Sequence, residues 1–291
     1  MGALRVHRGS PLSVLQAIVL GITQGVTEFA PISSSGHLIL VPWLFGWPIL
    51  HDPSVNKTFD VALHLGTLVG ALVYFRTDVV RYLAAWVRSI RRRSISTADE
   101  RLAWALVVGT IPGAIVGATF QSVIEDKLGA PWLIALMLAV FAVVLYAVDR
   151  RAPSARPMEE VSVLGGLGLG IAQAVALQPG VSRSGITITA ARVYGLDRAA
   201  AARFSFLLSL PIIAGAGLFK GIDLVRTGLP QGMTGPFVWG TLAAAVSGFL
   251  VIAFLLSFLR TRDFLAFLVY RIAAAAFVLG IIAAGVRPSS A

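Results

Sequence analysis

Two short polar stretches interrupt an otherwise apolar chain, and both carry residues suited to phosphate chemistry. The first runs from Gln24 to His37 and holds Glu28, Ser33, Ser34, Ser35 and His37; the second runs from Gln178 to Thr187 and holds Ser182, Arg183, Ser184 and Thr187. Glu28 is the only carboxylate in either stretch and Arg183 the only cation. A guanidinium grips phosphate oxygens through two parallel hydrogen bonds, and a carboxylate holds a cation or takes a proton. A hydroxyl beside an imidazole can act as a nucleophile. His37 follows Ser34 by three residues, so the two are expected to cooperate on one face of a helix. Gln24 and Glu28, four apart, share a helix face, and Pro31 breaks the chain after them. The serines beyond it are placed to cap a new helix, whose free N–H groups and positive end attract phosphate.

A structural ion pair between Glu28 and Arg183 would explain those two charges, but not the surplus of hydroxyls and the imidazole beside them. Outside the two stretches, His64 sits mid-span in Ala62-Leu-His64-Leu-Gly66 and is expected to be structural. Asp60 begins a span and reads as an interfacial cap or anchor, while Arg271 is expected to snorkel to the cytoplasmic edge.

The elements that position these residues belong to a membrane. Of 291 residues, 57% are hydrophobic and only 13% charged, against about 25% charged in soluble domains. Mean hydropathy is +0.83. This excludes a water-soluble monomer, and the absence of Cys excludes disulfides, thiolate catalysis and Cys-based metal sites. The net charge of +10 is unevenly spread: seven basic residues fall between Arg76 and Arg101, as in a cytoplasmic loop. No aromatic–basic module accompanies them, so nucleic acid is not an expected partner.

Apolar stretches long enough to span a bilayer occur near 59–76, 102–121, 132–149, 203–222, 237–259 and 264–286, giving six spans. Two shorter ones, 12–22 and 161–177, run into the polar stretches and read as half-helices of re-entrant hairpins, about 12–46 and 161–195. Arg5 and Arg8 before an apolar run could mark a cleaved leader, but the segment behind them recurs. Shifting Gly21–Gly36 by 149 positions lays it on Gly170–Gly185 with 7 of 16 residues identical. The expected architecture is therefore all-α and duplicated, with units 1–149 and 150–291, each a hairpin followed by three spans. An odd number of spans inverts the second unit relative to the first. The basic loops then fall inside, the first hairpin opens outward, and the tips meet near the midplane.

The stretch Gln24-Gly-Val-Thr-Glu28-Phe-Ala-Pro-Ile-Ser-Ser-Ser-Gly-His37, together with Pro179-Gly-Val-Ser-Arg183-Ser-Gly-Ile-Thr187, closely resembles the two signature motifs of the bacterial undecaprenyl-diphosphate phosphatase family, also called bacitracin-resistance proteins. Asp197-Arg198 followed by Ala202-Arg203-Phe204-Ser205-Phe206-Leu207-Leu208 and Pro211 matches a third family segment. The resemblance covers essentially the whole chain in motif order and spacing. It implies hydrolysis of the lipid-carrier diphosphate to the monophosphate with a divalent metal, Mg2+ or Ca2+, in the bacterial cytoplasmic (inner) membrane. The site would open to the periplasm, and a homodimer is an expected partner arrangement.

Matched position by position, the resemblance gives Gln24 and Glu28 a metal-binding role. It makes Ser34 the proposed nucleophile, His37 the essential histidine and Arg183 the diphosphate-binding arginine, with Ser182, Ser184 and Thr187 as hydroxyl partners; Ser33 and Ser35, from the first polar stretch, are expected to bind substrate beside them. Gln24 departs from the carboxylate many members carry, so metal binding is expected to lean on substrate oxygens. The nucleophile stays open between Ser34, His37 and water. A lipid-carrier flippase or secondary transporter built on the same anion site is the alternative function, and the Ser34–His37 pair favours the enzyme.

Overall fold

The computed structural model describes residues 12–47, 53–153, 156–229 and 232–290, without side-chain detail at 53–54, 121–127 and 219–227. Arg5 and Arg8, and the side chains of Lys127, Lys220 and Arg226, therefore lie outside the described part. The chain folds as helices α1 (Val14–Phe29), α2 (Ser34–Phe45), α3 (Pro53–Tyr74), α4 (Arg76–Arg92), α5 (Ala98–Lys127), α6 (Pro131–Arg151), α7 (Val163–Val175), α8 (Arg183–Tyr194), α9 (Arg198–Thr227), α10 (Thr234–Phe258) and α11 (Leu265–Ala283). Among the described residues there is no strand, only an isolated bridge between Arg156 and Leu196.

Five helices, α5, α6, α9, α10 and α11, are long and apolar enough to cross a membrane; α3 with α4 makes a sixth only as a pair bent by 84°. The expected span at 59–76 is thus α3, already ended at Tyr74. The segment read as the loop 76–101 is mostly helix α4. Its cause is visible in the residues: Val79, Tyr82, Leu83, Trp86, Val87 and Ile90 recur at helical spacing. Tyr82 and Ala85 are buried while Val80, Leu83 and Ile90 are exposed. Asp78 in the first turn and Arg91 and Arg92 in the last complement the helix dipole.

Long helices expose apolar faces that no water-soluble surface would leave open. On α10, Val246, Leu250 and Phe254 recur every four residues at 60%, 59% and 61% exposure, a face suited to lipid. Inside, Phe29, Phe75, Phe204, Phe206 and Phe264 join one cluster that surrounds α9. Phe29 meets Phe206 edge-on with ring centres 5.4 Å apart.

The packing follows a pattern. Helix α1 lies against α10 and α7 against α5, while α6 pairs with α11, and α3 packs on α10 and also meets α9. Close approach in the first two pairs depends on glycine: a Cβ on Gly21 would strike the Gly240 carbonyl, and one on Gly170 the Gly109 carbonyl. Both positions are therefore closed to any larger residue without moving backbone.

Arg271 does not reach an edge. It is wholly buried, and its guanidinium donates to the carbonyls of Leu138 at 2.9 Å, Pro31 at 3.0 Å, Gly180 at 2.8 Å, Val181 at 3.1 Å and Met137 at 3.4 Å. The turns between α1 and α2 and before α8 leave the carbonyls of Pro31, Gly180 and Val181 outside any helix, so a buried cation with five donors is the better-solvated arrangement. Asp60 likewise lies within α3 rather than capping it.

Candidate active site

The site forms where two helices begin. Pro31 and the turn at Ala30–Ser33 end α1, and α2 starts at Ser34 with Ser33 as its cap; Ser33 Oγ accepts the Gly36 N–H at 3.3 Å. Helix α8 starts at Arg183 with Ser182 as its cap, and Ser182 Oγ accepts the Gly185 N–H at 3.1 Å. The two caps share an uncommon backbone conformation, φ 76° at Ser33 and φ 77° at Ser182, one that bulky side chains avoid. The tips also hold each other: Gly180 N–H donates to Ser33 Oγ at 3.0 Å and Ser184 Oγ donates to the Ala30 carbonyl at 3.0 Å.

This capping leaves a specific set of donors open. His37 N–H and Ile186 N–H take the carbonyls of their own cap residues. The backbone amides of Ser34, Ser35, Arg183 and Ser184, the first two of each helix, have no acceptor among the described residues. Two helix N-termini therefore present four amides and two partial positive charges side by side.

Glu28, on the last turn of α1, sits against them. Its Oε2 accepts from Ser34 Oγ at 2.5 Å and from Gln24 Nε2 at 3.1 Å. Its Oε1 accepts from Arg183 NH2 at 2.7 Å. The carboxylate is nearly buried, whereas Ser34, Ser35 and Arg183 keep partial exposure, so the charge lies beneath an open rim of hydroxyls, amides and guanidinium. Arg183 is backed by Ser205, whose carbonyl lies 3.5 Å from NH1. Ser205 Oγ is 2.5 Å from Thr187 Oγ1. Ser35 Oγ lies 3.5 Å from Ser33 Oγ, and Ser182 Oγ 3.2 Å from Ser184 Oγ.

His37 is near this cluster but differently engaged from the sequence expectation. It makes no hydrogen bond to Ser34. Its Nδ1 lies 2.7 Å from the Ser33 carbonyl and its Nε2 2.7 Å from Tyr270 Oη, with the two rings stacked at 5.7 Å. A carbonyl only accepts, so Nδ1 carries the hydrogen and Nε2 accepts from the tyrosine. The imidazole that faces Glu28 is instead His64 on α3, with Nε2 3.7 Å from Oε2.

Gln24, Glu28, Ser34 and Arg183 thus converge, Ser33 and Ser182 shape the helix starts, and Ser184 and Thr187 brace the second tip. The sequence reading gave His64 a structural part and Arg271 a place at the cytoplasmic edge, named Ser205 only within a matching family segment, and passed over Tyr270. An arginine inside the apolar run Leu268-Val-Tyr-Arg271-Ile was a visible signal for Arg271, since a cation at that depth needs partners. Tyr270 meets His37 across 233 positions, and nothing local announces that contact.

These features define an all-α, multi-pass membrane protein with a carboxylate, hydroxyl and guanidinium gathered at two adjoining helix N-termini. The chain belongs to the family described as bacitracin resistance protein BacA, whose pattern matches residues 17–277. Among curated relatives, the undecaprenyl-diphosphatase of Pelobacter propionicus is 45% identical over 276 residues, spanning 94% of this chain and 99% of the relative. That of Moorella thermoacetica is 47% identical over 270 residues, 93% of this chain and 98% of the relative. That of Geobacter sulfurreducens is 46% identical over 269 residues, 92% and 98%.

Proposed function

We propose that the protein is a membrane phosphatase that hydrolyses undecaprenyl diphosphate to undecaprenyl phosphate and phosphate, recycling the lipid carrier for cell-wall synthesis and conferring bacitracin resistance. The family and the relatives' names support this reading, and one observation carries it to residues: the 2.5 Å bond from Ser34 Oγ to Glu28. That bond sets a hydroxyl on a carboxylate at the mouth of an anion cradle, which a flippase or transporter has no need of.

In this mechanism the diphosphate occupies the open amides of Ser34, Ser35, Arg183 and Ser184, with Arg183 gripping it through its unoccupied N–H groups. Ser34 Oγ attacks the terminal phosphorus and its proton passes to Glu28 Oε2. The bond from phosphorus to the bridging oxygen breaks, and undecaprenyl phosphate leaves with the electron pair. Glu28 gives its proton to the departing lipid phosphate. Water then attacks the phosphoserine and passes a proton to the regenerated carboxylate. The bond from phosphorus to Ser34 Oγ breaks, and Glu28 returns that proton to Ser34 as phosphate departs. His37 holds the cap at Ser33 and receives the Tyr270 hydroxyl, so its part is to orient the serine. Phosphoryl transfer depends on positioning and charge neutralisation, which the two helix starts supply in advance. Exposed apolar helix faces give the prenyl tail a lateral route from the bilayer.

The residues also fit a divalent cation. Among the described residues no three imidazole or carboxylate groups lie together, but Gln24 Oε1 is buried without a donor, beside the Glu28 carboxylate. Glu28 and Gln24 would hold the cation, with diphosphate oxygens filling other positions. When bound, it neutralises charge on the diphosphate and polarises the phosphoryl oxygens. Phosphate release from a long-chain prenyl diphosphate by detergent-purified protein, with and without chelator, tests the function. Turnover that chelator suppresses is the expected result, and no release under either condition overturns the reading.

The architecture proposed is two inverted units, 1–149 and 150–291, each a re-entrant hairpin and three spans, in the bacterial cytoplasmic (inner) membrane with the site opening to the periplasm. The matched caps at Ser33 and Ser182 and the matched packing of α1 on α10 and α7 on α5 support the duplication. Arginines of α4 and of the segment 192–203 gather at one end, joined by Arg203 to Asp78 at 2.6 Å, and the positive-inside rule makes that end cytoplasmic. The chain lacks Cys, so single-Cys labelling reads the orientation: Ser94→Cys should be shielded from an impermeant reagent in intact cells and Leu229→Cys should react. The opposite pattern would reverse the topology.

A further inference from the structure

We propose that His64 is a ligand of the divalent cation, forming with Glu28 and the Gln24 amide oxygen a mixed nitrogen–oxygen site; this rests on the phosphatase reading above. His64 Nδ1 lies 2.7 Å from the Asp60 carbonyl, which only accepts, so Nδ1 carries the ring hydrogen. In the neutral ring Nε2 is then a bare lone pair. It faces Glu28 Oε2, another acceptor, at 3.7 Å, too far for a hydrogen bond and with no hydrogen between them.

Two acceptors aimed at each other across such a gap describe ligands awaiting a cation. Bonds of about 2.0 to 2.2 Å from a first-row ion to nitrogen and oxygen sum to more than the observed separation, so an ion fits at a bent angle between the two atoms. Fixing the imidazole through Nδ1–H on a backbone carbonyl is how metal-binding histidines are oriented. Gln24 supplies the independent observation. Its side chain is wholly buried, its Nε2 lies 3.1 Å from the same Oε2, and its Oε1 has no donor. A half-turn of the amide exchanges the two atoms, bringing an oxygen to the place where an ion would sit. Glu28 keeps its tasks on separate lone pairs, Ser34 on one and the cation on the other, with Arg183 on Oε1.

The donor set bears on metal choice. An imidazole beside one carboxylate and one amide oxygen suits Mn2+ or Zn2+ better than Mg2+ or Ca2+, which take oxygen ligands. The partly exposed His64 side chain, 33% accessible, gives the ion a way in.

Mn2+ binding to substrate-free, full-length protein in detergent tests this without turnover. Pulsed electron paramagnetic resonance of the wild type should detect nitrogen coupling from one imidazole at a single bound Mn2+. His64→Ala should abolish that coupling and weaken affinity at least tenfold. His64→Gln should lose the coupling while its amide oxygen recovers part of the affinity, a rescue that a purely structural histidine would not give. Bound Mn2+ without nitrogen coupling in the wild type, no Mn2+ binding at all, or unchanged affinity in His64→Ala would each overturn the proposal and leave His64 as an ion-pair partner of Glu28. Prenyl diphosphate turnover by the wild type, measured separately, decides the phosphatase reading: turnover without nitrogen coupling removes only the ligand role.

Discussion

Two of the carboxylate–arginine groupings in this bundle, at Asp149 and at Glu28, are built for opposite ends. At Asp149 the carboxylate takes Arg192 Nε at 2.8 Å and Arg198 NH2 at 2.9 Å. Arg192 is wholly buried, and its remaining donors reach the carbonyls of Pro153, Leu196, Ala152 and Asp149 itself. Every polar atom of Arg192 and of the Asp149 carboxylate is met from within the protein. At Glu28 the carboxylate is as buried, yet Arg183 directs one nitrogen at it and retains donors and exposure, with four backbone amides open beside it. The first pair fastens α6 to α8 and α9, since a buried charge keeps its partners or costs several kcal/mol. The second is an incomplete shell, and on the proposed reading an anion completes it.

That contrast predicts different consequences for similar substitutions. Ser34→Ala should have the largest catalytic effect, lowering kcat on the order of a thousandfold while the folded protein still binds lipid diphosphate, because the amides and Arg183 remain. Retained turnover in Ser34→Ala would shift the attack to water. His37→Ala should cost on the order of tenfold to a hundredfold in kcat with little change in KM, as the Ser33 cap loosens. Tyr270→Phe, which removes only the hydroxyl donor to Nε2, should cost less than tenfold. If the two variants are equally severe, His37 acts through Tyr270 alone. At the other pair, Arg192→Lys should leave kcat of the folded fraction near normal. It should destabilise the fold by roughly 1 to 3 kcal/mol, because lysine keeps the charge beside Asp149 but leaves buried carbonyls without the donors the guanidinium gives them, read as a lower unfolding temperature in detergent.

The residues that carry their signal locally were legible from sequence. Spacing of Gln24 and Glu28, the proline break and the cap serines announced two helix starts, and the offset of 149 tied them together. Helix α4 was legible too, from apolar residues at helical spacing, but its arginines drew the reading toward a loop. His64, Tyr270 and Arg271 could not be read this way. Their partners lie on other helices: His64 meets Glu28 from α3, and Tyr270 and Arg271 reach the tips from α11. An imidazole in an apolar run looks structural until the carboxylate it faces is known. For Arg271 the error lay in the solvent assumed: snorkelling presumes that water is the nearest polar partner, whereas the turns before α2 and α8 and helix α6 offered carbonyls nearer still.

Arg183→Lys tests most directly whether the open pair is a diphosphate clamp. Lysine keeps the charge and an ion pair with Glu28, but lacks the planar fork that reaches two phosphate oxygens at once. Phosphate release from a long-chain prenyl diphosphate should fall on the order of a hundredfold or more, with an unchanged size-exclusion profile and unfolding temperature. A lysine variant with wild-type kinetics would contradict the account and make Glu28–Arg183 a second structural pair like Asp149–Arg192.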